Sequence, residues 1–283
     1  MVGDTVRVVT DSAADLADDI VRKLGITIVP LVITTGGRSF ADGALSRTEF
    51  WRLSASENPP GTSQPSRGAF ERVFSSLIEQ GHRVLCITVT GRHSGTFSSA
   101  WSVARQFDDL VTVVDSSSLS LGMGWQVMRA ARMALENAPL CAILDSLRSL
   151  QERTRIVIQL DTLRNIRHGG RAARLMPALE RLTHALDLKA LINVVDGELR
   201  LLGVSRSYKK GVARIRNEIE RLGTLEFLAV GHTLRENVAQ ALADQLAELT
   251  NIGRHQIIVF EAGSVLACHG GEGLIAAAGV IAE

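Results

Sequence analysis

Short runs of β-branched and other apolar residues alternate, through the first half of the chain, with stretches whose apolar positions recur at helical spacing. The runs are "VRVVT" from Val6, "ITIVPLVIT" from Ile26, "RVLCITVT" from Arg83, "VTVVD" from Val111 and "RIVIQL" from Arg155. Strands separated in this way by helices predict a parallel sheet with helices on its faces. Helix starts are legible too: Ser46 with Glu49 makes a capping box, and Ser66 after Pro65 opens "SRGAFERVFSSLIEQ". The second half has a different rhythm. "LKALINVVDGELRLLGV" reads as two strands around an Asp196-Gly197 turn, followed by a helix near Lys209 to Leu222, the strand "LEFLAVG", another helix, "HQIIVF" and a closing strand-like run. The expected fold is therefore α/β, a parallel sheet with flanking helices over residues 1–162, joined to a smaller α+β domain over residues 163–283. No repeat and no low-complexity linker separates the halves, so they are expected to pack closely, with any ligand between them.

A length of 283 residues fits one large α/β domain or two domains sharing an interface. The 46% of hydrophobic residues supply a core, and a formal charge of +1 supplies no bulk attraction to nucleic acid or membrane. Cys86, Cys141 and Cys268 are widely spaced and odd in number, which fits reduced thiols better than a disulfide frame or a zinc site. The start lacks the cationic lead and apolar core of a signal peptide, and the longest apolar run, Leu274 to Ala282, falls well short of the ~20 residues of a membrane span. The expectation is a soluble, cytoplasmic protein.

Three hydroxyl-rich turns follow predicted strands: "TDSA", "GRHSGTFSSA" and "VDSSSLSLGMG"; a fourth cluster, "GTSQPSRG", precedes a helix. In a parallel sheet the turns after the strands share the carboxyl edge, where helix N-termini offer unpaired N–H groups to an anion. Each hydroxyl alone reads as a helix cap. Thr10, Ser12, Ser66, Ser94, Thr96 and Ser116 together point to an anion site. Ser94 fails as a nucleophile elbow, since the glycines that motif requires two positions away on either side are Arg92 and Thr96. His93 reads as a surface residue. His269, in the glycine-rich "CHGGEG", reads either as a structural histidine or as one facing a ligand, and that stretch lacks the lysine of a phosphate loop.

In order along the chain, "VTDSAADL", "GTSQPSRGAF", "SGTFSSA", "VVDSSSLSLGMG", "DTLRNIRHGGR", "DGELR" with "SRSYKKGV", and "CHGGEG" resemble the DegV family over nearly its whole length. The family resembles the fatty-acid-binding subunit of bacterial fatty acid kinase. That resemblance implies a long-chain fatty acid buried between the two domains, its carboxylate presented to a separate ATP-binding kinase subunit. It implies a lipid carrier that is not an enzyme by itself, with no cofactor, no metal and no nucleic acid, and with at most transient contact with a membrane surface. Carried over, the carboxylate-binding hydroxyls fall on Thr62 and Ser94, with Ser63 and Thr96 as further contributors, and the network histidine falls on His269. Arg171 and Arg206 match arginines tied to kinase engagement. Where family members read "LSGTY" and "HTGPG" this chain reads "HSGTF" and "HGGEG", the latter adding Glu272. Eight arginines between Arg148 and Arg181 read as a solvated face or as a docking face for an acidic partner; without aromatics among them, base stacking has little support. The alternative from another class is a serine hydrolase of acyl esters acting through Ser94 and His269.

Overall fold

The computed structural model describes residues 5–162, 165 and 188–283. Its first sheet is parallel, in the order β2-β1-β6-β7, built from β1 (Val6–Asp11), β2 (Thr27–Val29), β6 (Arg83–Thr88) and β7 (Val111–Asp115). Helices α1 (Asp18–Leu24), α3 (Arg67–Glu79), α4 (Thr96–Ala104), α5 (Ser120–Leu135) and α6 (Leu140–Arg153) accompany it. On one face, Phe70 and Phe74 of α3 and Ala100 and Val103 of α4 close over Val9, Val84 and Cys86. On the other, Met123, Val127 and Ala130 of α5 pack with Val8, Leu85 and Ile87 in a core that runs on into the second sheet. Both expected helix starts form: the Ser46 hydroxyl accepts from Glu49 N, the Ser46 half of the expected capping box, opening α2 (Arg47–Ser54), and the Ser66 hydroxyl accepts from Ala69 N, opening α3.

One expected parallel strand and the second half of another belong elsewhere. "ITIVPLVIT" breaks at Pro30, which has no N–H to give a ladder. After it, β3 (Val32–Thr35) leaves the parallel sheet and pairs antiparallel with β4 (Arg38–Ala41) and β5 (Gly61–Ser63). "RIVIQL" follows two consecutive helices, not one crossover helix, and becomes β8 (Thr154–Leu160) in the second sheet.

That second sheet has the order β10-β9-β8-β13-β11-β12, with β9 (Lys189–Val195), β10 (Glu198–Ser205), β11 (Leu225–His232), β12 (Ile258–Glu261) and β13 (Ile275–Ile281). All neighbours are antiparallel except β11 and β12. By sheet membership the chain changes over before Thr154, ahead of the 162/163 division expected from the sequence. The β9–β10 turn is as read: Asp196 (φ 51°) and Gly197 (φ 76°) are both left-handed, the signature of a type I′ hairpin. Helices α7 (Tyr208–Glu220) and α8 (Glu236–Leu249) cover one face, Ile215, Ile219, Leu242 and Leu246 packing on Val157, Leu191 and Val230. The opposite face turns towards the parallel sheet, and α9 (Ser264–Gly270) lies at the junction.

Candidate functional site

Strand alternation decides what the second sheet offers its neighbour. Ile156, Ile158 and Leu160 of β8 point to the same face, away from α7 and α8, and line a cavity between the sheets. Register places Ala276 and Ala278 of β13 beside Ile158 and Ile156, and Gly231 and Ala229 of β11 beside those alanines. The middle of this floor is therefore made of residues with little or no side chain, which opens space where larger residues would fill it. Counting the space at its open mouth, the cavity spans about 1120 Å³. Its lining is overwhelmingly apolar, with Thr90, His93, Ser94, Ser120 and His269 as polar members.

Polar groups gather where α9 meets the small sheet. His269 stands in the last turn of α9, not in a free glycine loop, and its Nε2 lies 2.8 Å from Thr62 Oγ1 on β5. Leu266, His269 and Gly270 share one helix face at i, i+3 and i+4 spacing, so a single short helix supplies both apolar and polar wall. The loop after β6 supplies the rest. Ser94 is buried, its hydroxyl 2.8 Å from Thr96 Oγ1 and accepting from Thr96 N at 3.3 Å, and Thr96 is fully buried as the first residue of α4.

Gln64, not singled out in the sequence, packs its amide over Gly95 so tightly that a Cβ there would come within 2.4 Å of Oε1; its Nε2 donates to Ser99 Oγ at 3.2 Å. This fixes the β5 segment against the start of α4, and with it Thr62 against the Ser94 loop. His93 is likewise no plain surface residue: its Nε2 accepts from Leu199 N at 3.1 Å. Thr90 donates to Gly197 O at 3.0 Å, so the tip of the β9–β10 hairpin is docked on the Ser94 loop from the other side.

A second polar pair sits at the N-terminal end of α9. Asp15, half-buried with φ 50°, accepts from Ser120 Oγ at 2.7 Å and from Gly263 N at 3.0 Å. Burial pushes its carboxyl up from 3.8 to about 6, opposed by those two hydrogen bonds; Asp42 adds to the rise and Arg47 works against it. Arg47 holds the same junction by donating to Ala262 O and Glu261 O and by pairing with the Glu261 carboxylate at 2.9 Å.

The other residues singled out fall outside this cluster. Ser63 is exposed, on the strand face opposite to Thr62. Arg206 is exposed just past β10, and Glu272 is exposed in the turn after α9. Arg171 lies outside the described residues, as do Arg164, Arg167, Arg174 and Arg181. Of the described arginines in that run, Arg153 pairs with Glu226 and Glu283 of the second sheet and its end, Arg155 on β8 donates to backbone carbonyls, and Arg148 pairs with Asp145 on the exposed face of α6. A hydrolase would aim an imidazole nitrogen at Ser94, but Nε2 of His269 is engaged by Thr62 and the Ser94 hydroxyl by Thr96, so the geometry gives that alternative no support. Among the described residues no cluster of His, Cys, Asp and Glu could hold a metal, and no helix is long and apolar enough to cross a membrane.

A family model described as "Uncharacterised protein, DegV family" matches residues 5–282. A DegV domain-containing protein of Caldanaerobacter subterraneus is 31% identical, with 99% of each chain covered. One of Deinococcus radiodurans is also 31% identical, over 97% of this chain and 98% of its own. Among solved structures, a fatty-acid-binding DegV family protein of Thermus thermophilus superposes with a TM-score of 0.88 at 29% identity, covering 98% of this chain and 100% of that one. The fatty-acid-binding DegV of Bacillus subtilis, at 22% identity and TM-score 0.84 over 99% and 100%, shares the fold.

Proposed function

The chain belongs to the DegV family, and from that premise we propose that it binds one long-chain fatty acid in the cavity between its sheets and presents the carboxylate to a separate ATP-binding kinase subunit. The observation that carries this reading is the union of an apolar cavity with Ser94 and His269 on its wall, each backed by a threonine hydroxyl, Thr96 and Thr62 respectively. Burial of an alkyl chain contributes ~0.8 kcal/mol per methylene, so fifteen methylenes contribute on the order of 12 kcal/mol before ordering costs. A hydrogen bond to a charged group adds only ~1.5–3 kcal/mol, whereas a carboxylate buried without partners is strongly unfavourable. The tail thus supplies affinity. Thr62, Ser94, Thr96 and His269 supply register, holding the carboxylate at the junction of α9 and the Ser94 loop.

In this role no side chain of the protein acts as nucleophile. A carboxylate oxygen of the bound acid attacks the γ-phosphorus of ATP held by the partner, the bond to the ADP oxygen breaks, and acyl phosphate remains on the carrier. Arg206, exposed at the end of β10, and Arg171 are the proposed points of engagement with that partner. The test of the lipid reading is mass spectrometry of the organic extract of purified, undigested protein. Roughly one equivalent of long-chain fatty acid per chain is expected; an extract free of fatty acid, from protein that also fails to take up added palmitic acid, overturns the reading.

A further inference from the structure

Fatty acid binding explains the apolar wall and the polar cluster at His269, but not why Ser120 lines the same cavity with a carboxylate behind it. Ser120 (φ 52°) and Asp15 (φ 50°) both adopt left-handed backbone conformations, which cost non-glycine residues free energy and persist where the surroundings impose them. They come from different elements and are joined by a 2.7 Å hydrogen bond. Asp15 also holds Gly263, six residues before His269, so the pair stands roughly 9 Å along α9 from the proposed carboxylate site at ~1.5 Å per residue. Close by, the Ser118 hydroxyl is buried without a hydrogen-bond partner; a Cβ on Gly122 would meet it at 2.5 Å and the cavity-lining Ile156 Cδ1 at 2.8 Å. Polar capacity is thus concentrated beside a stretch of cavity that a plain alkyl chain would leave unused.

We infer that Ser120, oriented by Asp15, is a specificity residue for an oxygen-bearing acyl chain, accepting a hydrogen bond from a mid-chain hydroxyl of the bound acid. The inference rests on the fatty acid reading and adds the substrate class to it. A serine hydroxyl has one hydrogen and two acceptor sites. With the hydrogen given to Asp15, Ser120 Oγ is left an acceptor, which suits a hydroxyl and not a carbonyl. Asp15 is ionised above about pH 6, and the charged side chains acting on it are Asp42 and Arg47.

The experiment compares stearic acid with a mid-chain hydroxystearic acid and the matching ketostearic acid, by competition for delipidated full-length protein at pH 7.5. Wild-type protein is expected to bind the hydroxy acid at least as tightly as stearic acid, and Ser120→Ala to weaken the hydroxy acid about tenfold, leaving stearic acid within about twofold. Asp15→Asn is a second, near-isosteric variant. Its amide would donate to Ser120 Oγ and free the hydroxyl hydrogen, so the ratio of hydroxy to keto binding should fall by about tenfold. Equal weakening of both acids by Ser120→Ala, or an unchanged hydroxy-to-keto ratio in Asp15→Asn, overturns the inference while stearic acid binding by wild type keeps the fatty acid reading intact. If wild-type protein binds none of the three acids, the fatty acid reading falls and this inference with it.

Discussion

At the scale of residues, the contact between Thr62 Oγ1 and His269 Nε2, 2.8 Å long, ties β5 to the last turn of α9. Thr62, Ser94, Thr96 and His269 are all legible as polar residues near turns, yet nothing in the pattern shows that Thr62 would leave its helix-start context and meet His269 across 207 positions of chain. Thr62 lies on β5, so Thr62→Ala removes no cap. We expect Thr62→Ala and Ser94→Ala each to weaken fatty acid binding by about tenfold, the loss of one hydrogen bond to a charged group, while melting temperatures stay within a few degrees of wild type. Calorimetric titration of delipidated protein beside a thermal melt checks this; unchanged binding in both variants would remove these hydroxyls from the carboxylate site. Asp15 gives a pH signature. Its carboxyl rises from 3.8 to about 6 on folding, so its contribution to stability is fully present below about pH 4 and disappears as pH climbs through 6. The ionised group then costs on the order of 3 kcal/mol. Asp15→Asn should therefore gain on wild type between pH 5 and pH 7.5, and melts across that range with a constant offset would contradict the assignment.

Among elements, strand existence is legible and strand partnership is not. Periodicity identified "RIVIQL" as a strand, but a strand preceded by two helices has no single crossover to fix its neighbour, and it joined β9 and β13 instead. The break at Pro30 was readable from proline's missing N–H; the departure of β3 into its own sheet was not. The cavity floor leaves only a weak trace, the small-residue run "IAAAGV", which becomes informative once register sets Ala276 and Ala278 beside Ile158 and Ile156. That floor makes a prediction: Ala278→Leu fills space in a cavity, so the protein should stay folded but retain shorter chains, or far less fatty acid, than wild type. Extracts from both proteins, analysed for chain length, check it; an unchanged lipid profile would place the acyl chain elsewhere. The hairpin makes another. A Cβ on Gly197 would sit 2.4 Å from Thr90 Oγ1 at a φ of 76°, so Gly197→Val should undock the tip and destabilise the protein by about 2 kcal/mol or more. A melt matching wild type would show that the tip is not held against Thr90.

For the whole molecule, the division of labour is between a parallel sheet whose carboxyl edge carries hydroxyl loops and a second sheet whose small-residue face leaves room for a chain. The sequence announces both halves and their close packing; the space between them depends on side chains from strands far apart in order. Arg206 stands outside that space, so Arg206→Ala should leave fatty acid bound at wild-type affinity and slow its phosphorylation by the proposed kinase partner at least tenfold, the scale of a lost charge-assisted contact. Parallel loss of binding would move Arg206 into the pocket wall. The most direct measurement of the central claim is a crystal structure of the protein with stearic acid. One extended acyl chain is expected along Ile158, Ala276 and Ala278, with its carboxylate oxygens within about 3.2 Å of Thr62 Oγ1 and Ser94 Oγ. A chain bound in the reverse sense, with its methyl end at His269, or a lipid seated outside the cavity, would contradict it.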